Sequence, residues 1–400
     1  MTIPRLYFRI LAFAIPLILA LVVFHLIDKA IVKNHWQSNM QLSTLQMKEK
    51  LMAYVENVVA DVLIIATDQT QTQWIAEGQL DALESRFISL SQYKNQYAQI
   101  RYIDATGLER LRVDNHNGEP VVIQHDQLQD KSSRYYFQNA HSLPFGSLYI
   151  SKLDLNMEQG EIEHPIRPMM RFAAPVVDRA GQHYGVVIIN YRMGDLLKLF
   201  DMPLLEDSGQ LLLLNSQGHW LAGGDPDQRW GNMFDHQHSF AEERTRSWSY
   251  IKTRLDQEQF KWQADDHIYA ATLYQEGDAI KSLAKSVSQT TVKTEEPWLV
   301  VVSETTPEKM FAGAYQRLMI GGLLVLILIV IWAFSMNFQR KLKIKKRLAQ
   351  AQAKRMTQIV EQTSDFIFMT DLDGKIDYVN PAFCHITGYK KHQLLSKSPS

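Results

Sequence analysis

The chain has 400 residues, a formal net charge of -1 and 46% hydrophobic residues, and its one dense basic cluster directly follows an apolar run. Nothing in that balance points to nucleic acid as a partner. A single cysteine, Cys384, excludes a disulfide framework, so stability has to come from packed cores of ordinary domain size.

Residues 1–9 form a short basic lead into the apolar run 10–27, close to the ~20 residues a helix needs to cross ~30 Å of hydrocarbon. The residues that follow, His25-Leu26-Ile27-Asp28-Lys29, contain no small-x-small cleavage site, so the run reads as an uncleaved anchor. A second run, 318–338, has the same character. Lys and Arg flanking a span stay on the cytoplasmic side. Arg5 and Arg9 precede the first run, and Arg340, Lys341, Lys343, Lys345, Lys346 and Arg347 follow the second. Both termini are therefore expected in the cytoplasm, with 28–317 exported.

Residues 28–70 begin without proline or glycine as far as Ala66, and Trp36, Met40, Leu51, Val55, Val58, Val59 and Val62 recur at partly helical spacing. This predicts a long helix continuing out of the membrane. A distal unit, 71–200, then turns to strands: Gln99 to Asp104, the turn Ala105-Thr106-Gly107, Leu111 to Val113, Tyr149 to Ser151, Met170 to Ala174, and Gly185 to Tyr191 after the turn Asp178-Arg179-Ala180-Gly181. A proximal unit, 201–307, repeats that grammar with Gln210 to Asn215, the turn Ser216-Gln217-Gly218 and His219 to Ala222. It closes with Trp298 to Glu304, which feeds the second span through the strand-to-helix turn Ser303-Glu304-Thr305-Thr306-Pro307. The expected class is α+β, with two tandem sheets beside a long helix.

Residues 339–362 lack glycine and proline and should continue the second span as a helix. Leu342, Ala349, Met356 and Thr363 lie seven apart, which reads either as a solvated connector or as the seam of a homodimeric signalling helix.

Residues 99–191 resemble the membrane-distal half of double Cache sensor domains. The stretches that carry the likeness are Asp130-Lys131-Ser132-Ser133-Arg134-Tyr135-Tyr136-Phe137, Tyr149-Ile150-Ser151, Arg171-Phe172-Ala173-Ala174-Pro175-Val176-Val177-Asp178 and Gly185-Val186-Val187. The resemblance implies two PAS-like sheets and a small-molecule pocket in the distal unit, lined by Arg134, Tyr136, Phe137, Tyr149, Ser151, Arg171 and Asn190. In relatives that bind amines, an Arg-x-Trp-Tyr pattern holds the ligand carboxylate and a later Asp takes the ammonium. Arg134, Tyr136 and Phe137 match the first part, and Asn190 stands at the Asp position. An amide cannot neutralise an ammonium, so a simple organic anion is the expected ligand, held through the guanidinium fork of Arg134. The alternative for Arg134 is a structural ion pair with Asp130. Leu153-Asp154-Leu155-Asn156, with Glu158, Gly160 and Glu163, is similar to the subset of these sensors attached to cyclic-di-GMP enzymes or histidine kinases.

Residues 363–400 resemble the start of a PAS domain, through Asp365 to Asp371, the turn Asp373-Gly374, Lys375 to Asn380, and Asn380-Pro381-Ala382-Phe383 with Thr387-Gly388-Tyr389. Alone they cannot close a PAS pocket, which leaves open a longer parent or a natural truncation. Together the resemblances imply a multi-pass receptor of a bacterial inner membrane whose exported domain is periplasmic. Its output is expected to be a diguanylate cyclase ahead of a histidine kinase. The rival readings are a docking platform for a periplasmic binding protein and a non-signalling remnant.

No catalytic, cofactor or metal site is expected. Gly223-Gly224-Asp225-Pro226-Asp227 reads as a turn. His236 and His238 lack a third ligand at metal-site spacing. Cys384-His385 lacks the neighbours of a flavin photoadduct, and neither a phosphate-cradling loop nor a nucleophile elbow appears.

Overall fold

Helix α1 (Ile3–Thr67) is unbroken from its apolar half into its polar half. Pro16 lies inside it, as spanning helices tolerate. The computed structural model describes residues 3–116, 118–158, 160–202, 204–234, 236, 238–275 and 291–398. They fall into two bodies, Leu26–Tyr315, and Met1–His25 together with Gln316–Ser400.

In the first body α1 presents one apolar stripe. Met47, Leu51, Val55, Val58, Val59, Val62, Ile65 and Ala66 are buried in a single cluster with residues of both sheets. Those positions repeat every three, four or seven residues, the spacing of one helix face. Asp68 ends the helix by capping α2 (Gln69–Ala76), accepting from the Thr70 N–H at 2.9 Å, and α3 (Leu80–Tyr93) follows.

The distal unit contains β1 (Tyr97–Asp104), β2 (Glu109–His116), β3 (Glu119–Val122), α4 (Tyr135–His141), β4 (Leu148–Ile150) and β5 (Asp154–Leu155). A small hairpin, β6 (Met157–Glu158) and β7 (Glu161–Ile162), leads to the long pair β8 (Pro168–Val177) and β9 (His183–Arg192), and a helical turn α5 (Gly194–Leu197) leaves the sheet. The β8–β9 turn is held by Asp178 Oδ1, which accepts from Ala180 N and Gln182 N at 2.8 and 2.9 Å. Gly185 sits at φ 143°, where any side chain would collide with the Ile103 carbonyl across the β1–β9 pair.

The proximal unit contains β10 (Gln210–Leu214), β11 (Trp220–Gly223), α6 (Phe240–Glu243), α7 (Thr245–Lys252), β12 (Gln259–Ala264), β13 (His267–Tyr274), β14 (Val292–Thr294) and β15 (Leu299–Thr305). Its five strands run β11-β10-β15-β13-β12. β14 departs from the tandem layout: it leaves the proximal stretch and pairs in parallel with β4, so the distal sheet runs β14-β4-β8-β9-β1-β2-β3. Gly223 to Asp227 forms a turn, with Asp225 capping a short 3-10 helix.

One residue after β15, α8 (Pro307–Gln362) begins, with Thr306 Oγ1 accepting from Lys309 N at 3.3 Å as its cap. At the base of this body Trp36 and Met40 of α1, Ile268 and Ala270 of β13, and Met310 and Phe311 of α8 pack together. Lys29 lies over the Phe311 ring at 4.6 Å.

In the second body, the apolar stretches of α1 and α8 have mean hydropathies of 2.9 and 2.7 and are 6% and 0% buried, so both are long and apolar enough to cross a membrane. Phe13 and Trp332 stack at 4.6 Å and 8°. After α8 come β16 (Phe368–Thr370), β17 (Ile376–Val379), α9 (Pro381–Thr387) and α10 (Lys391–Leu394). The buried Asn380 joins this PAS-like start to the helix before it. Its Oδ1 accepts from Ile367 N and Phe383 N, both at 3.0 Å, and its Nδ2 donates to Val360 O at 3.1 Å and Asp365 O at 2.9 Å.

Candidate functional site

The two faces of the distal sheet differ in chemistry. On the face toward α1, Ile100, Tyr102, Leu111, Val113, Met170, Phe172, Val187 and Ile189 are buried in the main core. Because side chains alternate along a strand, their neighbours project onto the face covered by α4. Register makes one polar row there: Arg171 lies opposite Asn190, Asn190 opposite Gln99, and Gln99 opposite Asp114 across four adjacent strands. The next row holds Ala173, Ile188, Arg101 and Arg112.

This polar face is buried: Arg101 is 7% exposed, Arg171 9%, Asn190 3% and Asp114 7%. Arg171 Nη1 donates to Asp154 Oδ1 at 2.8 Å. Burial raises the Asp154 carboxyl above the usual carboxylate range, and the Arg171 charge only partly offsets it. Arg112 holds Asp114 with two parallel bonds of 2.7 Å. Gln99 Oε1 accepts from Asn190 Nδ2 at 2.9 Å and from Arg101 Nη2. Arg101 Nε and Glu109 Oε1 face each other at 3.6 Å, and neither makes a hydrogen bond. Asn190 Oδ1 is also buried without a hydrogen-bond partner. Buried polar groups are nearly always paired, so such atoms mark a place where a polar guest would be stabilised.

The loop before α4 completes the wall. Gly107, at φ 94°, lets Ser132 approach so closely that any Cβ would meet it at 2.4 Å. Its carbonyl accepts from Lys131 N at 2.7 Å, and Glu109 N bonds Gln129 O at 3.0 Å. Lys131 is thereby held near Arg101 and Glu109. Burial, with the Arg101 charge, pushes its ammonium down to about 8. Beside the polar row, a cavity of about 90 Å³ is lined by Gln99, Arg112, Asp114, Asn190 and Arg192 together with Asn156, Glu163 and Arg167.

The expected site residues divide between this face and its surroundings. Arg171 and Asn190 lie in the polar row itself. The Tyr136 hydroxyl accepts from Arg101 Nη1 at 3.4 Å, and the Arg171 guanidinium lies 6.0 Å from the Tyr136 ring. Tyr149 is fully buried beside them, and burial together with the nearby Glu295 carboxylate raises its hydroxyl well above the tyrosine range. Ser151 acts on backbone: its Oγ accepts from Arg171 N at 2.9 Å and donates to Lys152 O at 2.8 Å. Phe137 is buried in an apolar cluster with Ile103, Val186 and Ile188, stacked on His141. Arg134 stands exposed at the start of α4, outside the buried row. Asp130 Oδ1 accepts from Ser132 N at 2.8 Å, and among the described residues no ion pair joins it to Arg134. The side chain of Glu158 lies outside the described residues.

Sequence reasoning missed Gln99, Arg101, Glu109, Arg112 and Asp114. Their signal was polar residues alternating with Ile100, Tyr102, Leu111 and Val113, which in an isolated strand reads as a solvent face. A bulge between Tyr102 and Ile103 places Glu109 opposite Ile103, breaking the simple alternation. Asp154 lay within a stretch noted only by resemblance. Among the described residues no three His, Cys, Asp or Glu side chains are grouped to hold a metal ion.

A family model for the bacterial histidine kinase sensor domain matches residues 37–274, and one for the PAS fold matches residues 354–400. No curated protein matches the chain. Among solved structures, the extracellular domain assigned to the histidine kinase vpHK1S-Z8 superposes with a TM-score of 0.50 at 19% identity, covering 70% of this chain and 98% of that one. A domain assigned to the sensory box/GGDEF family from Vibrio parahaemolyticus gives 0.50 at 18% identity, covering 68% of this chain and 99% of that one. These likenesses concern the fold, two tandem sheets beside a long helix. With the sensor-domain model spanning more than half of its residues, the chain belongs to the bacterial histidine kinase sensor-domain family and carries a PAS fold behind it.

Proposed function

We propose that residues 28–317 are the periplasmic part of an inner-membrane receptor with both termini cytoplasmic, and that the polar face of the distal sheet binds a compact organic anion. The observation that carries this is the buried row from Arg171 to Asp114 with unsatisfied atoms at Asn190 and Arg101. Around the cavity, Arg112, Arg167 and Arg192 exceed Asp114 and Glu163 by one cation, which an anionic guest would neutralise. The cavity is smaller than the ~150 Å³ that admits benzene elsewhere, so the guest is small. A docking platform needs no such buried polar row, and we rank that reading second.

The route to the membrane is short. Tyr149 lies on β4, β4 pairs with β14, and two residues beyond β14 Glu296 Oε1 accepts from Ser216 N at 2.8 Å in the proximal unit. β15 follows and enters α8 with one intervening residue. An anion that favours one packing of α4 over the other would bias α8 through this path, by no more than its differential affinity for the two states. Residues 339–362 then act as a homodimeric helix, and the output favoured here is cyclic-di-GMP synthesis, with a histidine kinase as the alternative.

The test is a thermal-shift screen of residues 28–317 against organic acids, amino acids and polyamines. At ~100-fold excess over its dissociation constant a true ligand adds ~2.7 kcal/mol, several degrees in Tm. We expect an acid to do this in the wild type and in Arg134→Ala, and to fail with Arg101→Gln. Stabilisation by polyamines alone, or by no compound, refutes the anion reading.

A further inference from the structure

The cytoplasmic end of the paired spans holds a second basic site. A cleft of about 350 Å³ is lined by Arg9 from α1 and by Arg340, Lys343 and Arg347 from α8, over Met336 and Ile344, with no carboxylate in its wall. Arg340, Lys343 and Arg347 follow i, i+3, i+7 spacing and so share one face of α8. The Phe13–Trp332 stack lies one helical turn deeper in each helix, four residues from Arg9 and from Met336. Deeper again, Leu21 lies so close to Gly321 that a Cβ there would meet its Cδ1 at 2.7 Å. The two helices are thus braced together beneath the cleft.

The geometry points to a binding site for one anionic phospholipid headgroup, resting on the reading that both helices cross the bilayer. The apolar run of α8 ends at Phe338, so the cleft opens where hydrocarbon gives way to headgroups. Cations from both helices meet the phosphodiester, and Met336, on the bilayer side of them, meets the start of the acyl chains. A free phosphate would use the charges and leave that apolar floor bare. The positive-inside bias alone asks only that basic residues lie on one side of the membrane. Here Lys341 and Lys345 satisfy it from outside the cleft, while the other side chains converge across two helices, an arrangement suited to headgroup binding. A bound lipid would clamp α1 to α8 at the point where α8 leaves the membrane, making the connector sensitive to membrane composition.

The experiment is native mass spectrometry of the full chain in neutral detergent, titrated with phosphatidylglycerol, phosphatidylcholine or inorganic phosphate. The wild type should retain one phosphatidylglycerol with at least tenfold preference over phosphatidylcholine. Lys343→Gln/Arg347→Gln, and separately Arg9→Gln, should lower that retention at least tenfold. Lys341→Gln/Lys345→Gln removes the same charge from outside the cleft and should leave retention unchanged. Equal loss in the two double variants would mean diffuse surface electrostatics and overturn the site. Absence of lipid preference in the wild type, or displacement by phosphate at concentrations equal to the lipid's, would do the same. Carbonate extraction separates the premises: a chain released from membranes refutes the spans, whereas an integral chain without lipid preference refutes only the clamp.

Discussion

Apart from the parallel β14–β4 pair the two sheets are antiparallel, and both lie against the same long helix on one face, yet their opposite faces are filled differently. In the distal unit that face carries Arg171, Asn190, Gln99, Asp114 and Arg101. In the proximal unit Leu212, Leu214, Trp220, Val300, Val302 and Trp262 of the strands cluster with Phe240 of α6 and Trp248 of α7. Trp262 stacks on Tyr269 at 4.8 Å, and Phe240 meets both Trp220 and Tyr269 edge to face. Apolar packing of this kind is dense and stable, and the polar atoms it buries without a hydrogen-bond partner, Trp262 Nε1 and the Tyr269 hydroxyl, sit singly among aromatic rings and not in a charged row. A buried polar face is costly unless its charges are paired, and it gains most when an unsatisfied group finds a partner. On the function proposed above, recognition falls to the distal sheet and rigid transmission to the proximal one.

The largest expected effect breaks the distal half of that contrast. Asp154→Ala leaves Arg171 buried without its carboxylate and should cost ~3–5 kcal/mol in urea unfolding of residues 28–317. Asp154→Leu/Arg171→Met removes both charges and should recover most of the loss while abolishing anion binding. Equal destabilisation in the double variant would show that the pair contributes packing and not charge balance.

Phe240→Ala should cost ~3–4 kcal/mol by opening a cavity in the proximal cluster, where the residue is 1% exposed. Because it lies outside the polar row, the anion affinity measured by calorimetry on the folded variant should stay within about twofold of wild type. A tenfold change would show that the proximal face belongs to the recognition site.

The smallest effect is a pH dependence. The Lys131 ammonium has a folded value of about 8, against ~10.4 for an unperturbed lysine. Between those values the unfolded chain binds more protons than the folded one, so this residue's contribution to stability rises with pH through that window. The urea midpoint of wild type relative to Lys131→Gln should therefore increase from pH 7.5 to pH 9.5, and a saturating anion that favours the charged ammonium should flatten the trend. A flat difference without ligand would place Lys131 in solvent.

Much of the architecture was legible because it depends on local pattern. The apolar runs, the stripe from Trp36 to Val62, the turn at Asp178 and the paired strands around it, and the Asn380-Pro381 helix start each declare themselves within a few residues. Arg171, Asn190, Tyr136 and Tyr149 were also reached by resemblance, and all four meet at the distal face. Arg134 was expected as the anion's anchor, but at the start of α4 its side chain is exposed while Arg101 lies beneath.

What the sequence by itself determined, then, was periodicity: where helices and strands run, which of them are apolar enough for a bilayer, and which positions alternate. What only the tertiary structure decided was which alternating face is covered. Gln99, Arg101 and Asp114 join one polar face only because the assembled chain brings Tyr136 of α4 to Arg101 and Asn156, Glu163 and Arg167 to Gln99 and Asp114, and β14 reaches β4 from more than a hundred residues away. Burial and long-range pairing are properties of the assembled chain, and they set both the electrostatics of the site and its connection to α8.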